Sequence, residues 1–312
     1  MLFLYHTLFD FEKNEHNEHN ERENKMIQLF TDTSANLPAK LTQENGIKVI
    51  PFQYFINGKQ ISYSEKTDFN GKEFYDAMRA GADVKTSMIN MAEFTESFEE
   101  SLIKGDDVIY VGMSGGISGT ANAAAVVAEE LSQKYPQRKI AAIDTCAASL
   151  GEGLLVLEAA EMIQKGASFE TIKNYICFRK KEMRQYFTVD DLEYLKRGGR
   201  ISGAAALIGS ILGIKPMLTA DEQGHIIMCG KARGAKKVLD GLAEKYEKMV
   251  ADKNANIGIA HADNDKGVDY LLEKLRECGF SGECLRVCYE PVTGAHVGPG
   301  TVALFFFGNT QK

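Results

Sequence analysis

The sequence predicts an α/β protein made of two α/β domains, and three observations carry that reading. From Met26 onward, apolar runs of strand length alternate with helical stretches, the pattern of a parallel sheet with helices on both faces. Asn57-Gly58 stands between two strand-like runs and is the strongest short hairpin signal in the chain. Beyond residue 168, give or take about ten residues, the alternation becomes irregular, and a separate two-layer α/β domain is expected. A chain of 312 residues can bury two cores. The expected division is an extension over 1–25, an N-terminal domain over 26–167 with a small β-hairpin insert at about 48–64, and a C-terminal domain over 168–312.

Taken in order, Ile27 to Phe30 reads as the first strand, followed by the turn Thr31-Asp32-Thr33-Ser34 and a helix start near Pro38. Lys48 to Phe55 and Lys59 to Tyr63 flank the Asn57-Gly58 turn. Helices are expected around Gly71–Ala80 and Met91–Ile103, a strand over 108–111 and a helix over 121–134. Ile140 to Ile143 reads as a strand, then Asp144-Thr145 and a long helix from about Ser149 to Lys165. In the second half, helical segments near 168–182 and 191–196 bracket a strand at Gln185–Val189. Arg197-Gly198-Gly199-Arg200 and a small-residue apolar segment, Ala204 to Leu212, come next. Pro216 stops that segment, a glycine-turned hairpin follows over 217–229, and Lys231-Ala232-Arg233-Gly234 opens a helix. Ile257–Ala260, Leu285–Tyr289 and Leu304–Phe307 complete the strands.

Composition narrows the function classes. The chain is 44% hydrophobic and 25% charged, with a net charge of −7, and has no long basic run, which argues against nucleic acid as a partner. Six scattered cysteines lack the density of a secreted disulfide scaffold and point to a reducing, cytoplasmic setting. They also lack the spacing of a zinc site, and no cofactor is expected. No apolar run reaches the ~20 residues of an integral membrane segment. The first 25 residues end in a polar Asn-Glu-His tract carrying His16 and His19, which reads as a solvated tail, with Met26 as an alternative start.

The stretch Met113 to Thr120 is the densest chemical signal. It follows the apolar run Val108–Val111 and precedes a helix, and it holds three hydroxyls and three glycines. Small donors and bare backbone N–H groups at such a turn suit a carboxylate or phosphate. Ligands in parallel sheets gather at the carboxyl ends of strands, where Asp32, Ser34, Ser114, Ser118, Thr120 and Asp144 all fall.

At this point a family resemblance becomes specific. From Met26 to about Gly308 the chain resembles the DegV family of bacterial fatty-acid-binding proteins. The matching stretches stand in the family's order: Thr31-Asp32-Thr33-Ser34 with Leu37-Pro38, Lys85-Thr86-Ser87, Ser114 to Thr120, and Asp144 with Ser149-Gly151-Gly153. Asp191 to Ser202, Ile214-Lys215-Pro216, Lys231 to Gly234 and Gly294 to Thr301 follow. The resemblance implies a long-chain fatty acid held between the domains. Its carboxylate would be bound by Thr86, Ser118, Arg200 and His296, with Asp32, Ser34, Ser87, Ser114, Gly119 and Thr120 as supporting loop residues. It further implies a carrier that presents the acid to a separate fatty acid kinase, which makes the acyl-phosphate used for phospholipid synthesis, with Arg233 meeting that kinase. The chain departs from the family pattern at Met88-Ile89, and Met88 is expected along the tail channel.

Each site also has a plainer reading. Ser118-Gly119-Thr120 is equally a helix cap. Arg197-Gly198-Gly199-Arg200 is equally a turn with solvated charges, and the glycines around His296 signal a tight turn. Asp144 reads as a loop anchor. An enzymatic alternative is a serine esterase or acyl hydrolase. Gly112-Met113-Ser114-Gly115-Gly116 fits G-x-S-x-G, and Asp263 and His296 follow in hydrolase order. Against it, Gly116-Ile117-Ser118-Gly119 still lies between Ser114 and the helix, so the turn is not a tight elbow.

Overall fold

The computed structural model describes residues 26–63, 69–201 and 213–309. The expected tail over 1–25 and the apolar segment Ala204–Leu212 lie outside the described residues. The first sheet is parallel throughout. β1 (Ile27–Asp32), β2 (Lys48–Ile50), β6 (Asp107–Gly112) and β7 (Ile140–Asp144) stand in the order β2-β1-β6-β7. Alternate residues of its central strands feed two cores. Phe30, Val108 and Tyr110 pack with Phe94, Phe98 and Val127, from α3 (Met91–Ile103) and α4 (Thr120–Lys134). Leu29, Ile109 and Val111 face the other way, onto α5 (Leu150–Gln164) and α6 (Phe169–Arg179). The expected sheet with helices on both faces is what forms.

The insert is smaller than expected, and its third strand was missed. Lys48–Ile50 pairs in register with Phe30–Asp32 and belongs to the parallel sheet. The hairpin proper is β3 (Gln53–Ile56) and β4 (Lys59–Ser62). Asn57 and Gly58, with φ +51° and +79°, supply the left-handed pair its two-residue turn requires. β5 (Val84–Ser87) pairs antiparallel with β3, placing Thr86 opposite Tyr54. Val84-Lys85-Thr86-Ser87 is too short and polar to announce a strand, and only its tertiary pairing makes it one.

The second sheet is six-stranded and mixed, in the order β10-β9-β8-β13-β11-β12. Its strands are β8 (Met183–Thr188), β9 (Ile214–Ala220), β10 (Ile226–Arg233), β11 (Ile257–His261), β12 (Cys284–Cys288) and β13 (Val302–Phe307). Pro216 does not stop anything. It lies inside β9, opposite Lys231, and the hairpin runs on to Arg233 with an irregularity at Cys229. β13 shows why its sequence is an unbroken apolar run. Val302, Leu304 and Phe306 pack toward α8 (Ala235–Met249) and α9 (Asp265–Glu277), while Ala303, Phe305 and Phe307 pack toward α5. Helix α5 therefore lies between the two sheets, touching β1 and β6 on one side and β8, β11 and β13 on the other. That position explains its lack of a polar face. Residue 168 is the N-cap of α6, which still packs on the first sheet, and the chain passes to the second sheet at Lys180–Glu182.

Under the first sheet's carboxyl end lies a buried polar knot. Thr31 Oγ1 donates to Glu152 Oε1 (2.9 Å), Tyr110 donates to Asp32, and Ser34 Oγ contacts both Asp32 Oδ1 and Glu152 Oε2. Ser34 owns one hydroxyl proton, so it can donate to only one carboxyl, and the other contact requires a proton on Asp32 or Glu152. Burial pushes both carboxyls up, that of Glu152 well above its usual range.

Candidate functional site

A cavity of about 800 Å3, counted with its mouth, opens where the carboxyl end of β6 meets β5, the β9–β10 hairpin and the C-terminal helices. Hollows of similar size exist elsewhere on the described surface, so volume decides nothing here. The lining does. Phe52, Met113, Phe187, Leu195, Val292 and Phe305 provide apolar wall, and polar side chains collect at one place.

Thr86, Ser118, Arg200 and His296 all line this cavity. Thr86 comes from β5, and its Oγ1 lies 2.8 Å from His296 Nε2. His296 sits near the end of α10 (Pro291–Val297), a short helix that the glycine-rich sequence had disguised as a turn. Pro291 opens that helix, and Glu290 caps it by accepting the Val292 and Thr293 N–H groups. Asn36 completes the support, accepting the Glu290 N–H at 2.7 Å and donating to Cys288 O at 3.0 Å. Burial, with the Arg200 charge second, lowers the His296 pKa to about 4. The ring is therefore neutral at physiological pH. A Cβ on Gly198 would lie 2.3 Å from His296 Nδ1, so the doubled glycine before Arg200 gives the imidazole room.

Arg200 is half-buried and donates from Nε to Ile117 O (3.0 Å) and from Nη1 to Gly198 O. Burial lowers its pKa. No carboxylate pairs with it among the described residues. A guanidinium in that position leaves its charge uncompensated, and an anion is the natural complement. Ser118 Oγ lies 2.8 Å from Thr120 Oγ1 and accepts the Thr120 N–H, while Gly119 is the N-cap of α4 and no side chain caps it. The Ser118 hydroxyl thus stands just ahead of α4, at the border of the cavity.

The supporting residues divide. Ser87 and Ser114 line the cavity, Thr120 is buried behind Ser118, and Met88 packs over Gly119. Met88 lines the cavity and is half exposed, which places it at the mouth. Asp32 and Ser34 do not reach the cavity. They are locked in the buried knot behind it, where the rule placing ligands at strand ends misled. Asp144 accepts the Gly115 and Cys146 N–H groups, as a loop anchor does. Arg233 is exposed at the end of β10, away from the cavity lining.

Ser114 carries a different duty from the one its motif suggested. Its Oγ donates to Gly224 O (3.0 Å), at the tip of the β9–β10 hairpin, and accepts the Gly116 N–H (3.0 Å). A Cβ on Gly116 would meet hairpin backbone at 2.6 Å, so bare backbone packs on bare backbone there. His296 bonds Thr86 and Asp263 pairs with Arg79, so Ser114, Asp263 and His296 do not assemble as a triad.

Sequence reasoning assigned no site role to the polar lining residues Ser149, Gln185, Tyr289 and Thr293. Gln185 was legible only as a strand residue, yet its amide donates to Cys146 O (2.8 Å) and ties β8 to the loop after β7. Among the described residues no cluster of His, Cys, Asp or Glu is placed to hold a metal, and no helix is long and apolar enough to cross a membrane.

Fold and site together define a class: an α/β protein of two sheets enclosing an apolar cavity with one cationic, hydroxyl-rich end. Residues 26–309 match the profile described as uncharacterised protein, DegV family, and the chain belongs to the DegV family. A DegV domain-containing protein of Clostridium perfringens is 38% identical over 289 residues, covering 92% of this chain and 99% of that one. Two solved structures are each 30% identical and cover 91% of this chain. One is a DegV protein from Thermus thermophilus described as binding fatty acid (TM-score 0.80, all of that chain). The other is a fatty acid binding DegV protein from Streptococcus agalactiae (TM-score 0.82, 99% of that chain).

One prediction tests the polar end alone. The His296 imidazole should titrate near pH 4 in lipid-free protein, followed by its ring resonances in NMR. A bound carboxylate should move that titration upward, because it supplies the counter-charge that burial and Arg200 withhold. A ring titrating near 6.5 in the free protein would contradict the buried, Arg200-facing placement.

Proposed function

We propose that this protein binds a long-chain fatty acid, with the carboxylate at Thr86, Ser118, Arg200 and His296 and the tail along the apolar wall. The observation that carries the reading is Arg200, a half-buried guanidinium on the cavity lining whose hydrogen-bond partners among the described residues are both backbone carbonyls. Its relatives' described ligand supports the same reading. Magnitudes assign the roles. Each buried methylene contributes about 0.8 kcal/mol, so a dozen or more give on the order of 10 kcal/mol before association costs. The head contacts add less affinity and set orientation. Lipid-stripped protein should bind stearate tightly by calorimetry and methyl stearate at least tenfold more weakly, since the ester leaves Arg200 unpaired. Equal affinities would remove the head from the account.

The finer reading is a carrier, not an enzyme. Thr86, Ser118 and a neutral His296 hold a carboxylate without offering a nucleophile to it, and Ser114, the one motif serine, spends its proton on Gly224 O. A separate fatty acid kinase would phosphorylate the presented carboxylate to acyl-phosphate for phospholipid synthesis, in the cytoplasm, docking where Arg233 stands exposed. Arg233→Ala should leave fatty-acid affinity unchanged and slow acyl-phosphate formation in a reconstituted kinase assay. Equal loss of both activities would contradict that role.

A further inference from the structure

Two hydroxyls on the cavity lining have no use in the reading above. Ser149 is fully buried, lines the cavity, and its Oγ has no hydrogen-bond partner. It also holds a left-handed backbone, φ +52°, at the N-terminus of α5. A serine there is strained, and strain of this kind gathers at functional sites. Tyr289 is 3% exposed and lines the same cavity, and its phenol makes no hydrogen bond to a described residue. Unpartnered buried hydroxyls also occur at Thr188 and Tyr246, which do not border the cavity, and at Thr293, which does but stands one helical turn before His296, on the head-group helix. An alkyl tail would satisfy neither Ser149 nor Tyr289, and a buried polar group left unpaired is costly.

We infer that the cavity takes an acyl chain carrying an oxygen, a hydroxyl or keto group in mid-chain, paired with Ser149 Oγ and Tyr289 OH. This rests on the fatty-acid reading and names the class of acid. Position along the chain follows from α10: Tyr289 immediately precedes its N-cap Glu290, whereas His296 lies in its last turn, and the helical stretch from Pro291 to His296 alone spans about 7 Å. The second polar point is therefore placed at the N-terminal end of α10 and the carboxylate at its C-terminal end.

The test is competitive binding to lipid-stripped protein, using stearate and three hydroxystearates with the hydroxyl beside the carboxylate, in mid-chain or near the methyl end. The mid-chain isomer should bind about tenfold more tightly than stearate. Tyr289→Phe and Ser149→Ala should each shrink that preference severalfold while leaving stearate affinity unchanged or improved. Tyr289→Phe keeps the test valid if Ser149→Ala fails to fold. Stearate binding as tightly as every hydroxy isomer would overturn the inference and leave fatty-acid binding intact, with ordered water as the partner of both hydroxyls. Failure of all four acids to bind would overturn both readings.

Discussion

Arg200→Leu is expected to weaken fatty-acid binding about a hundredfold, and Thr86→Ala combined with Ser118→Ala about tenfold or more. The difference follows from charge. Among the described residues that line the cavity, Arg200 is the one permanent cation, and removing it leaves a carboxylate there without a charged partner. A hydrogen bond to a charged group is worth roughly 1.5–3 kcal/mol, a factor of ten to more than a hundred. Thr86 and Ser118 are neutral donors, and each has a second partner already, His296 and Thr120. Their loss can be met in part by those neighbours. Arg200 also holds Ile117 O, so the variant must be checked for an unchanged melting temperature. Affinity within threefold of the native protein for a normally folded Arg200→Leu would contradict the head-group assignment.

The second large effect concerns stability and pH. Asp32, Glu152 and Glu290 are all buried, without an ion pair among the described residues, and burial raises each, Glu290 to about 7. Acids raised in the folded state hold protons that the unfolded chain has already released above pH ~4.5. Their contribution to stability is full below that pH and is lost as pH rises through the folded values. His296 has the opposite sign. Its pKa is depressed to about 4, so it favours the fold above pH ~6.5 and loses that contribution between 6.5 and 4. Between pH 6.5 and 8 Glu290 releases its proton in the folded protein, which costs the fold about 0.8 kcal/mol, while the unfolded chain's His296 gives up the rest of its proton and returns about 0.4 kcal/mol, with His261, also lowered by burial, acting in the same sense as His296. The acid's share is isolated by Glu290→Gln: its stability should rise relative to the native protein by about 0.8 kcal/mol from pH 6.5 to 8, followed by denaturation at a series of pH values. Parallel profiles for the two proteins would contradict the raised Glu290 pKa.

Much of this was legible in the sequence because local signal and tertiary role agreed. Asn57-Gly58 made its hairpin, and the apolar run of β13 reflected a strand covered on both faces. Alternation of strand and helix was enough to place both sheets. What failed to show did so for physical reasons. β5 exists because β3 pairs with it, and a polar four-residue strand carries no periodicity of its own. Helix α10 was hidden by glycines at 294 and 298, yet a cap at Glu290 and a proline at its first position were enough to start it. At the site, the hydroxyl turn and Arg200 were readable by residue type, because a carboxylate asks for donors and one charge. Asp32 and Ser34 were misplaced because sequence shows that they end a strand but not which way they turn. Ser149 stood in a stretch that matched the family, but neither its hydroxyl nor that of Tyr289 carried a role, being single hydroxyls at a helix start and just past a strand end.

The central claim is that the cavity holds a fatty acid by its carboxylate at Arg200, Thr86, Ser118 and His296. Native mass spectrometry of the protein purified from a bacterial host tests it most directly. The account predicts an adduct whose mass matches one long-chain fatty acid per chain, retained in the native protein and largely lost in folded Arg200→Leu. A spectrum of bare protein under gentle ionisation, or an adduct retained equally by that variant, would contradict it.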